Sequence, residues 1–404
     1  MRILSVTAQK PDSTGSGVYL TELVKGFADM GHTQAVIAGV YAEDQIRMPD
    51  GVECYPVYYN SQELGFPVLG MSDEMPYDST KYSDMTEEMT ENFKTAFRKR
   101  IEWAVQEFRP DVILCHHLYF LTAYVRELCP DRIVYGLCHG SDLRQIKKNP
   151  WQRAYICDRI QKLDGVLALH EEQKAEIEDF YGCEKEKVQV LGTGYNSKVF
   201  YRNDENREER GRQESEKLSL VFAGKISEKK GVMSLIRSMN YIPDVKERVL
   251  LQIAGGHGNT SEYQQIKELA EACPCEVEFL GKLSQPELAK VFCQGDVFVL
   301  PSFYEGLPLV LIEAMACGMR AVCTDLPGIQ EWLGKNLPAN EVVYVKPPRM
   351  ENEDEPVQAD LPEFEQKLAD AILLAKNCRP VEKEALRNLS WEGVCQRLLY
   401  LWNR

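Results

Sequence analysis

The sequence predicts an α/β protein built from two doubly wound, parallel-sheet domains. Short apolar runs alternate with longer amphipathic stretches along all 404 residues, which is typical of strands covered by helices on both faces. The chain is also too long for one ordinary core, and hydrophobic residues make up 44% of it, enough to fill two cores.

The apolar runs predict a series of strands in each half of the chain. In the first half they are Arg2–Ala8, Gln34–Gly39, Asp111–Cys115, Arg132–Leu137, Gly165–Leu169 and Lys187–Leu191. In the second half they are Leu218–Ala223, Val249–Ala254, Val277–Leu280, Val297–Pro301, Arg320–Thr324 and Val342–Val345. The clearest helix is Glu87–Phe108, in which apolar residues recur at every fourth position. Two such series predict two separate sheets.

A polar segment separates the two series of strands. Residues 201–217 are almost entirely polar or charged, as expected of a linker or an exposed loop. We therefore place the first domain at residues 1–200 and the second at residues 217–385. An amphipathic helix with a serine cap is predicted at residues 390–404. The Gly-, Pro- and Ser-containing stretch 60–82 is longer than an ordinary loop, which favours a functional segment.

Charge and composition exclude several classes of protein. A net charge of −15 disfavours binding to nucleic acid. No run reaches the roughly 18 apolar residues of a membrane span, and the first residues lack the pattern of a signal peptide. The 13 cysteines are scattered, which indicates reduced thiols in a cytoplasmic protein. Cys273 and Cys275 form the one close pair, and without further ligands at metal spacing they do not predict a zinc site.

Polar motifs follow several of the predicted strands, at the sheet edge where parallel sheets bind ligands. After the first strand, Gly15 and Gly17 precede a helix that we expect to begin near Val18. Glycines let the backbone approach a ligand, and a helix start offers N–H groups to an anion. A tight turn without a ligand is the alternative interpretation.

The first strand of the second series is followed by two lysines. Lys225 and Lys230 lie five positions apart across a short turn, GKISEKKG. Both cations could point over the strand end at a phosphate. The alternative is a solvated, lysine-rich turn.

Histidines follow two neighbouring strands of the first series. His139 and Asp142, in the segment CHGSDL, predict either a pocket or a capped helix start. His116 and His117 end the preceding strand, and we interpret them as structural residues.

Two glutamates eight positions apart complete the set of polar motifs. They lie in the stretch SFYEGLPLVLIEAMACG, which follows a predicted strand, and Pro308 suits the first turn of the next helix. Glu305 then lies in the strand–helix turn, whereas Glu313 falls inside an apolar helix. The N–H groups expected to frame a site for negative charge are those of Gly306, Leu307 and Leu309. A buried carboxylate is tolerable when a ligand diol or a basic side chain completes it, so Glu313 predicts either a ligand site or an internal ion pair.

Together these motifs resemble the retaining glycosyltransferases of family 4, which have the GT-B fold. The most specific match is the Glu-x7-Glu pattern of Glu305 and Glu313. The segments GSGVYLTEL, HGSD, AGKISEKKG, LQIAGG, EFLGKLS and DLPGIQEW accompany it in the order of the family, from about residue 2 to residue 402. The resemblance implies two Rossmann-like domains facing a cleft, with the last helix crossing back to the first domain.

The resemblance also implies a role for each motif residue. Glu305 would bind hydroxyls of the donor sugar at the reaction centre, and Glu313 would bind the ribose. Lys225 and Lys230 would bind the diphosphate, although the family usually has Arg in place of Lys225. The other implied donor-site residues are His139 and Asp142 beside the sugar, Gly15 and Gly17 facing phosphate and acceptor, Gly306, Leu307 and Leu309 at the helix start, and Lys282 and Leu283 at the base.

These roles imply a retaining glycosyltransferase that moves a sugar from a nucleotide-diphosphate sugar, expected to be a UDP-sugar, to an acceptor hydroxyl. We expect a role in surface-polysaccharide or glycoconjugate synthesis, with no cofactor and no metal, because no DxD-like acidic pair lies near the phosphate loop. The acceptor is left open among a glycan, a lipid-linked molecule and a small molecule. The alternatives within this fold are a non-catalytic partner subunit and a sugar-nucleotide epimerase or phosphorylase.

Two basic segments stand out in this acidic chain. Residues 144–162 hold six basic residues against one acidic residue, and Lys94, Arg98, Lys99 and Arg100 form a second basic patch. Such segments can bind anionic lipid, so we expect weak peripheral contact with the inner face of a membrane. An ordinary solvated helix face is the alternative.

Overall fold

The secondary structure falls into two compact units, which are described separately. This computed structural model describes residues 1–11, 13–72, 75–202, 217–352 and 355–403. The first unit comprises Met1–Thr193 with Trp391–Arg404, and the second comprises Gly194–Ser390. The division at Thr193 falls a few residues before the position 200 expected from the sequence. Most of the polar segment 201–217 lies outside the described residues.

A parallel sheet forms the centre of the first unit. Its strands are β1 Arg2–Thr7, β2 Thr33–Val40, β3 Glu53–Tyr58, β6 Val112–His116, β7 Val134–Leu137, β8 Gly165–Ala168 and β9 Val188–Val190. Two short strands, β4 Leu69–Gly70 and β5 Thr80–Lys81, pair with each other. Within the described residues the main sheet has the order β3-β2-β1-β6-β7-β8-β9. The chain therefore leaves β1 on one side and returns on the other at β6, which makes the gap between these two strands a topological switch point.

The edge strand β3 was not predicted from the sequence. Its sequence ECYPVY contains Pro56, which has no N–H to donate and argues against a strand inside a sheet. Strand β3 has β2 as its one neighbour in the sheet, and an edge position tolerates a residue that cannot donate. Tyr55 and Val57 are buried, so the alternating pattern still anchors this strand on the core.

Helices alternate with the strands of the first unit. Their bounds are Gly15–Asp29, Glu87–Trp103, Phe120–Leu128, Ser141–Lys148, Arg153–Ile160, Glu171–Tyr181 and Trp391–Trp402. The predicted helix Glu87–Phe108 is α-helical as far as Trp103 and ends in the π-helical segment Ala104–Phe108. Arg109, with φ of 51°, then takes the left-handed conformation and ends the helix.

The C-terminal helix packs on the first helix of the chain. The ring of Trp391 meets the ring of Tyr19 edge-on, with 4.7 Å between the centroids. Gly26 permits close packing here, because a Cβ atom added to it would lie 2.6 Å from the Sγ atom of Cys395. Residues from both ends of the chain thus share the core of the first unit.

The long stretch 60–82 also contributes to this core. Leu64, Val68, Leu69 and Tyr82 are buried in it. Strands β4 and β5 lie within the stretch, and Asp73 and Glu74 fall outside the described residues. The described part of this stretch is therefore anchored by packing at several points.

A second parallel sheet forms the centre of the second unit. Its strands are β10 Leu218–Ala223, β11 Val249–Ala254, β12 Glu276–Gly281, β13 Val297–Leu300, β14 Arg320–Thr324 and β15 Val343–Val345. Within the described residues their order is β12-β11-β10-β13-β14-β15. The chain moves outward from β10 to β12 and then returns to the other side of β10 at β13. The switch point of this sheet thus lies between β10 and β13.

The helices of the second unit cover both faces of its sheet in the pattern expected of a doubly wound fold. Their bounds are Val232–Ser238, Val245–Arg248, Thr260–Glu271, Gln285–Gln294, Leu309–Ala316, Ile329–Asn336, Leu361–Ala375 and Lys383–Leu386. In the described part of the chain, no helix has both the length and the apolar character that crossing a membrane requires.

Candidate active site

The loops after β10 and β13 are joined at the switch point of the second unit. The N–H of Phe303 donates to the carbonyl oxygen of Lys229 over 3.1 Å, which links the two loops directly. Gly231 has φ of 69°, and a Cβ atom added to it would lie 2.0 Å from the carbonyl oxygen of Pro301. Glycine is required here for both the conformation and the close approach. The two loops are therefore held in one fixed arrangement.

This arrangement brings Lys230 and Glu305 into contact. The Nζ atom of Lys230 lies 2.6 Å from Oε1 of Glu305, and it lies 3.4 Å from the carbonyl oxygen of Tyr304. The hydroxyl of the buried Ser302 donates to the same carboxylate oxygen over 2.7 Å. The side chains of Lys230 and Glu305 are 29% and 15% exposed, so the pair is shielded and still accessible to a ligand. A cation and a carboxylate are thus positioned together by contacts within the second unit.

Glu313 lies on the helix that follows the same loop. This helix runs from Leu309 to Ala316, and Pro308 precedes it as the cap residue rather than standing in its first turn. Glu313 is only 7% exposed. The pKa of the Cys317 thiol is raised, chiefly by its hydrogen bond with Cys293 and by burial, with a smaller contribution from the Glu313 charge. Gly306 and Leu307 lie in the loop before this helix.

The remaining predicted residues of this unit lie at the same edge of the sheet. Backbone hydrogen bonds connect the ends of neighbouring strands, from Gly224 N–H to Ala254 O over 3.0 Å and from Gly255 N–H to Gly281 O over 2.8 Å. Lys225 directly follows Gly224 and is half-buried. The residues that directly follow Gly281 are Lys282 and Leu283. Lys225, Lys282 and Leu283 thus follow the carboxyl ends of strands in the same sheet as the pair Lys230 and Glu305.

In the first unit, His139 lies in a cluster of three histidines. Its Nε2 atom is 3.1 Å from Nδ1 of His116, and its ring centroid is 4.8 Å from that of His117. Burial lowers the pKa of His116 to about 3, with a further contribution from His117. Burial and the two neighbouring histidines also hold the pKa of His139 well below its usual value. The three imidazoles are therefore neutral at physiological pH.

Tyr19 lies on the helix that follows β1 and contacts this histidine cluster. Its ring meets the ring of His139 edge-on at 5.3 Å, and its hydroxyl donates to the carbonyl oxygen of Gly192 over 2.8 Å. Tyr19 belongs to the helix that begins at Gly15, three residues earlier than the start expected near Val18.

Gly15 and Gly17 therefore lie inside the first turn of this helix and not before it. The reason is the capping side chain of Thr14, whose hydroxyl oxygen accepts a hydrogen bond from the Gly17 N–H over 3.2 Å. This bond occupies the Gly17 N–H, and the expected position of Gly15 and Gly17 beside phosphate and acceptor stays a prediction.

Asp142 forms hydrogen bonds within its own part of the fold. Its carboxylate is fully buried and accepts hydrogen bonds from the N–H of Leu118 over 2.6 Å and from the N–H of His139 over 3.1 Å. The thiol of Cys138 is a further donor at 3.3 Å. Asp142 thus holds the loop that carries His139, and the helix Ser141–Lys148 begins without the side-chain cap that was the alternative interpretation. The expected position of Asp142 beside the donor sugar stays a prediction.

Three residues near the predicted ones were missed as site residues. The sequence gives only a weak indication of the Ser302 contact, because a hydroxyl three positions before Glu305 can reach that carboxylate. His116 had been interpreted as structural, yet it contacts the predicted site histidine directly. Tyr19 gave no signal, because its contact with His139 depends on the pairing of β1 with β6. Among the described residues no group of three or more His, Cys, Asp or Glu side chains could hold a metal ion.

Two family sequence models match the chain. Glycosyltransferase Family 4 matches residues 13–199, and Glycosyl transferases group 1 matches residues 203–352. A D-inositol 3-phosphate glycosyltransferase from Kribbella flavida is 26% identical over 343 residues, which cover 79% of this chain and 76% of the relative. Together the two models cover most of the first and second units.

Solved structures of similar fold cover the whole chain. A sucrose-phosphate synthase from Thermosynechococcus elongatus has a TM-score of 0.71 at 18% identity, over 100% of this chain and 98% of that one. Anabaena HepE in complex with UDP-glucose has a TM-score of 0.68 at 15% identity, over 100% of this chain and 99% of that one. The expected GT-B fold, with a parallel sheet in each of two domains, is confirmed.

The fold and the family matches define the protein as a glycosyltransferase. Its first half matches the family 4 model and its second half matches the group 1 model.

Proposed function

We propose that this glycosyltransferase transfers a sugar from a UDP-sugar to an acceptor hydroxyl with retention of configuration, in the synthesis of a surface polysaccharide or another glycoconjugate. The observation that carries the proposal is the contact between Lys230 and Glu305 at the switch point of the second sheet. The pair would offer a cation to a phosphate and, next to it, a carboxylate to sugar hydroxyls. Ligands of doubly wound sheets bind at such switch points.

The lysines would stabilise the leaving group. When the bond from the sugar to the diphosphate breaks, negative charge develops on the diphosphate oxygens. Lys230, Lys225 and the N–H groups at the start of the helix Leu309–Ala316 would stabilise that charge, and we propose that they do so without a divalent ion. Lysine supplies a point charge and not the bidentate fork of arginine, so Lys225 would contact one phosphate oxygen at a time.

The carboxylates and the histidine would position the donor. Glu305, held by Lys230 and Ser302, would accept hydrogen bonds from hydroxyls of the donor sugar. Glu313 would accept hydrogen bonds from the two ribose hydroxyls, and Lys282 and Leu283 would contact the base through their backbone. We propose that the neutral His139 lies beside the sugar, on the side of the acceptor.

The transfer step conserves the configuration of the sugar. The bond between the anomeric carbon and the diphosphate oxygen breaks through an oxocarbenium-like state. The acceptor oxygen forms its new bond on the face that the diphosphate leaves, and a phosphate oxygen takes the acceptor proton. The products are the glycosylated acceptor and the nucleoside diphosphate. The family resemblance supports retention.

The named relatives support the choice of donor and indicate a range of acceptors. The HepE structure contains UDP-glucose, which supports a uridine nucleotide as the donor. The relative from Kribbella flavida carries the name of an inositol phosphate, so a small phosphorylated polyol belongs in any acceptor screen beside lipid-linked and oligosaccharide acceptors.

A thermal-shift screen followed by a transfer assay tests this proposal. UDP, GDP and ADP with their sugars would be screened for a rise in melting temperature, since a ligand of the native state stabilises it. Release of the nucleoside diphosphate and formation of a glycosylated product would then be followed with and without EDTA. Glu305→Gln should lower turnover by at least about 100-fold, whereas the control Glu271→Gln, at an exposed residue of the same unit, should have no effect.

The same assay separates the alternative functions. A non-catalytic subunit would bind the nucleotide sugar without turnover, an epimerase would change the sugar with no acceptor present, and a phosphorylase would require inorganic phosphate. Transfer that EDTA abolishes and a divalent ion restores would overturn the metal-independent mechanism. Unchanged turnover of Glu305→Gln would remove this residue from the mechanism.

We also propose weak peripheral contact with anionic membranes. The exposed Arg98 and Lys99 lie on one helix with Trp103, whose side chain is 54% exposed. Other basic residues are paired internally, as Arg100 is with Glu63 at 3.0 Å, which limits the free positive charge of this face. The protein should co-sediment at low salt with vesicles that contain 30% anionic lipid, and this binding should be lost at about physiological ionic strength. Absence of binding at low salt would refute the contact.

A further inference from the structure

Two cysteines lie in contact at the amino end of β12. Cys273 and Cys275 belong to the short connection between the helix Thr260–Glu271 and this strand, and their Sγ atoms are 3.6 Å apart. Cys275 is buried, whereas Cys273 is partly exposed. The pair therefore presents one accessible sulfur atom with a second sulfur directly behind it.

The contacts of this pair favour the thiolate form of Cys273. The hydrogen bond between the two sulfur atoms and the backbone N–H of Cys275 lower the pKa of Cys273 despite its partial burial, and the Cys273 Sγ atom also lies 3.8 Å from the carbonyl oxygen of Ile236. The partly exposed thiols of Cys54, Cys157 and Cys378 have raised pKa values because burial is not offset in this way. A thiolate is the reactive form in thiol–disulfide exchange.

The second sulfur has a neighbouring cation. Lys217 forms an ion pair with Glu276 at 3.0 Å, directly beside Cys275. Its charge opposes the effects that raise the pKa of the Cys275 thiol. Loss of the Cys275 proton is required when this sulfur completes a disulfide, so the lysine assists that second step.

We propose that Cys273 and Cys275 form a redox-active dithiol that small disulfides of the glutathione class convert reversibly into an intramolecular disulfide. The Cys273 thiolate attacks one sulfur of the small disulfide and expels a first thiolate, which forms a mixed disulfide. The Cys275 sulfur then loses its proton, attacks Cys273 and expels the second thiolate. The protein loses two electrons and two protons, and one small disulfide is reduced to two thiols.

The geometry permits this step with a local movement. A disulfide requires about 2.05 Å between the sulfur atoms, so the two atoms must approach each other from the observed 3.6 Å. Cys273 lies outside regular secondary structure, and its side chain can move without breaking a strand or helix. The pair also lies at the end of β12 opposite to Gly281 and the proposed nucleotide site, so the inference is independent of the proposed function.

The test uses glutathione buffers and mass spectrometry on the full chain. Protein equilibrated at graded ratios of oxidised to reduced glutathione is alkylated in acid-quenched, denatured form and digested with trypsin. The peptide Glu268–Lys282 contains both cysteines and no other. We expect it to lose about 2 Da and both alkyl groups as the buffer becomes oxidising, and to recover both in excess reduced glutathione.

Matched variants identify the order of the two sulfurs. In Cys275→Ser the mixed disulfide with glutathione should accumulate on Cys273, whereas Cys273→Ser should form neither product in this peptide. In the native protein at pH 7, Cys273 should react with iodoacetamide about tenfold faster than Cys378. Retention of two free thiols in oxidised glutathione alone, or equal reaction rates of Cys273 and Cys378, would overturn the proposal. Circular dichroism of each variant confirms that the chain is folded.

Discussion

Lys230 and Glu305 lie 75 positions apart in sequence, and their side chains meet at 2.6 Å where two adjacent strands end. The contact exists because β10 and β13 are neighbours in the sheet, although two strands, β11 and β12, lie between them in the chain. Gly231 and the hydrogen bond from Phe303 to Lys229 hold the two loops together. The geometry of this pair is thus set by strand order and by the close approach that Gly231 permits.

We expect this ion pair to matter far more for activity than for stability. Both side chains are partly exposed, so Lys230→Met should lower the free energy of unfolding by less than about 1 kcal/mol. The same variant should lower sugar transfer by roughly 100-fold or more, because it removes a charge facing the leaving group. Urea unfolding and transfer kinetics measure the two effects.

The exposed pair Lys367–Glu363, which has the same 2.6 Å separation, is the matched control. Lys367→Met should change neither activity nor stability measurably. Equal losses of transfer in the two lysine variants would show that the position of Lys230 has no special role.

Gly231 should not tolerate a side chain. Gly231→Ala places a Cβ atom 2.0 Å from the carbonyl oxygen of Pro301 in a left-handed conformation, which should cost about 3 kcal/mol or more. Gly334 lies within a helix with open space around it, so Gly334→Ala should stabilise the protein by up to about 1 kcal/mol. Thermal and urea unfolding of both variants check the sign of each change.

The histidine cluster should make stability depend on pH. The pKa of His116 is about 3 in the folded protein, below the roughly 6.5 of an unfolded histidine. The unfolded state therefore binds more protons, and the free energy of unfolding should fall as the pH drops from about 7 toward 3. At pH 5, protonation of this histidine in the unfolded state should lower the free energy of unfolding by about 2 kcal/mol. His117 and His139 act in the same direction, because burial lowers the pKa of both, although the negative charge of Asp142 partly offsets the effect of burial on His117.

Urea unfolding at a series of pH values measures this effect. His116→Gln removes one titrating group, so the variant should lose less stability between pH 7.5 and pH 5 than the wild type. An identical pH dependence of the two proteins would contradict the assignment of a depressed pKa to His116.

Asp142 should be a stability residue. Asp142→Ala leaves the N–H groups of Leu118 and His139 without their buried acceptor, and the expected cost is about 2 to 4 kcal/mol. Asp142→Asn keeps one carbonyl oxygen as an acceptor and should therefore lose less stability than Asp142→Ala. If Asp142→Ala instead retained full stability and raised only the KM for the donor, the expected role in donor binding would be supported.

Close packing of the C-terminal helix on Gly26 predicts that one substitution destabilises the protein and that a second substitution restores part of the stability. Gly26→Ala places a Cβ atom 2.6 Å from Sγ of Cys395, and overpacking of this kind costs about 1 to 3 kcal/mol. Cys395→Ala removes the obstructing sulfur, so the double variant should be more stable than Gly26→Ala alone. Additive losses in the double variant would show that the two residues do not contact each other.

Much of the fold could be predicted because apolar strands of a doubly wound sheet are short, continuous and regularly spaced. The strands Leu218–Ala223 and Val249–Ala254 have the bounds that the sequence predicted. Strand β3 was missed because Pro56 is acceptable only at a sheet edge, and the sequence does not reveal which strand lies at the edge.

The site was predictable in its residue types and less so in its contacts. Lys230 and Glu305 were each identified from the polar segment after a strand, but their direct contact depends on strand order. The contacts of Asp142 with the N–H groups of Leu118 and His139 could not be predicted, because Leu118 follows a different strand and the contact depends on how the strands pair. Tyr19 was missed because an aromatic residue on a helix resembles an ordinary core residue.

The C-terminal helix has a consequence for how the chain folds during its synthesis. Domains generally fold in the order in which the ribosome releases them. Here the first unit lacks Trp391 and Cys395 until the second unit has been translated, so Tyr19 and Gly26 stay uncovered for most of that time. The nascent first unit is therefore a candidate client for chaperones, and the second unit can mature before it.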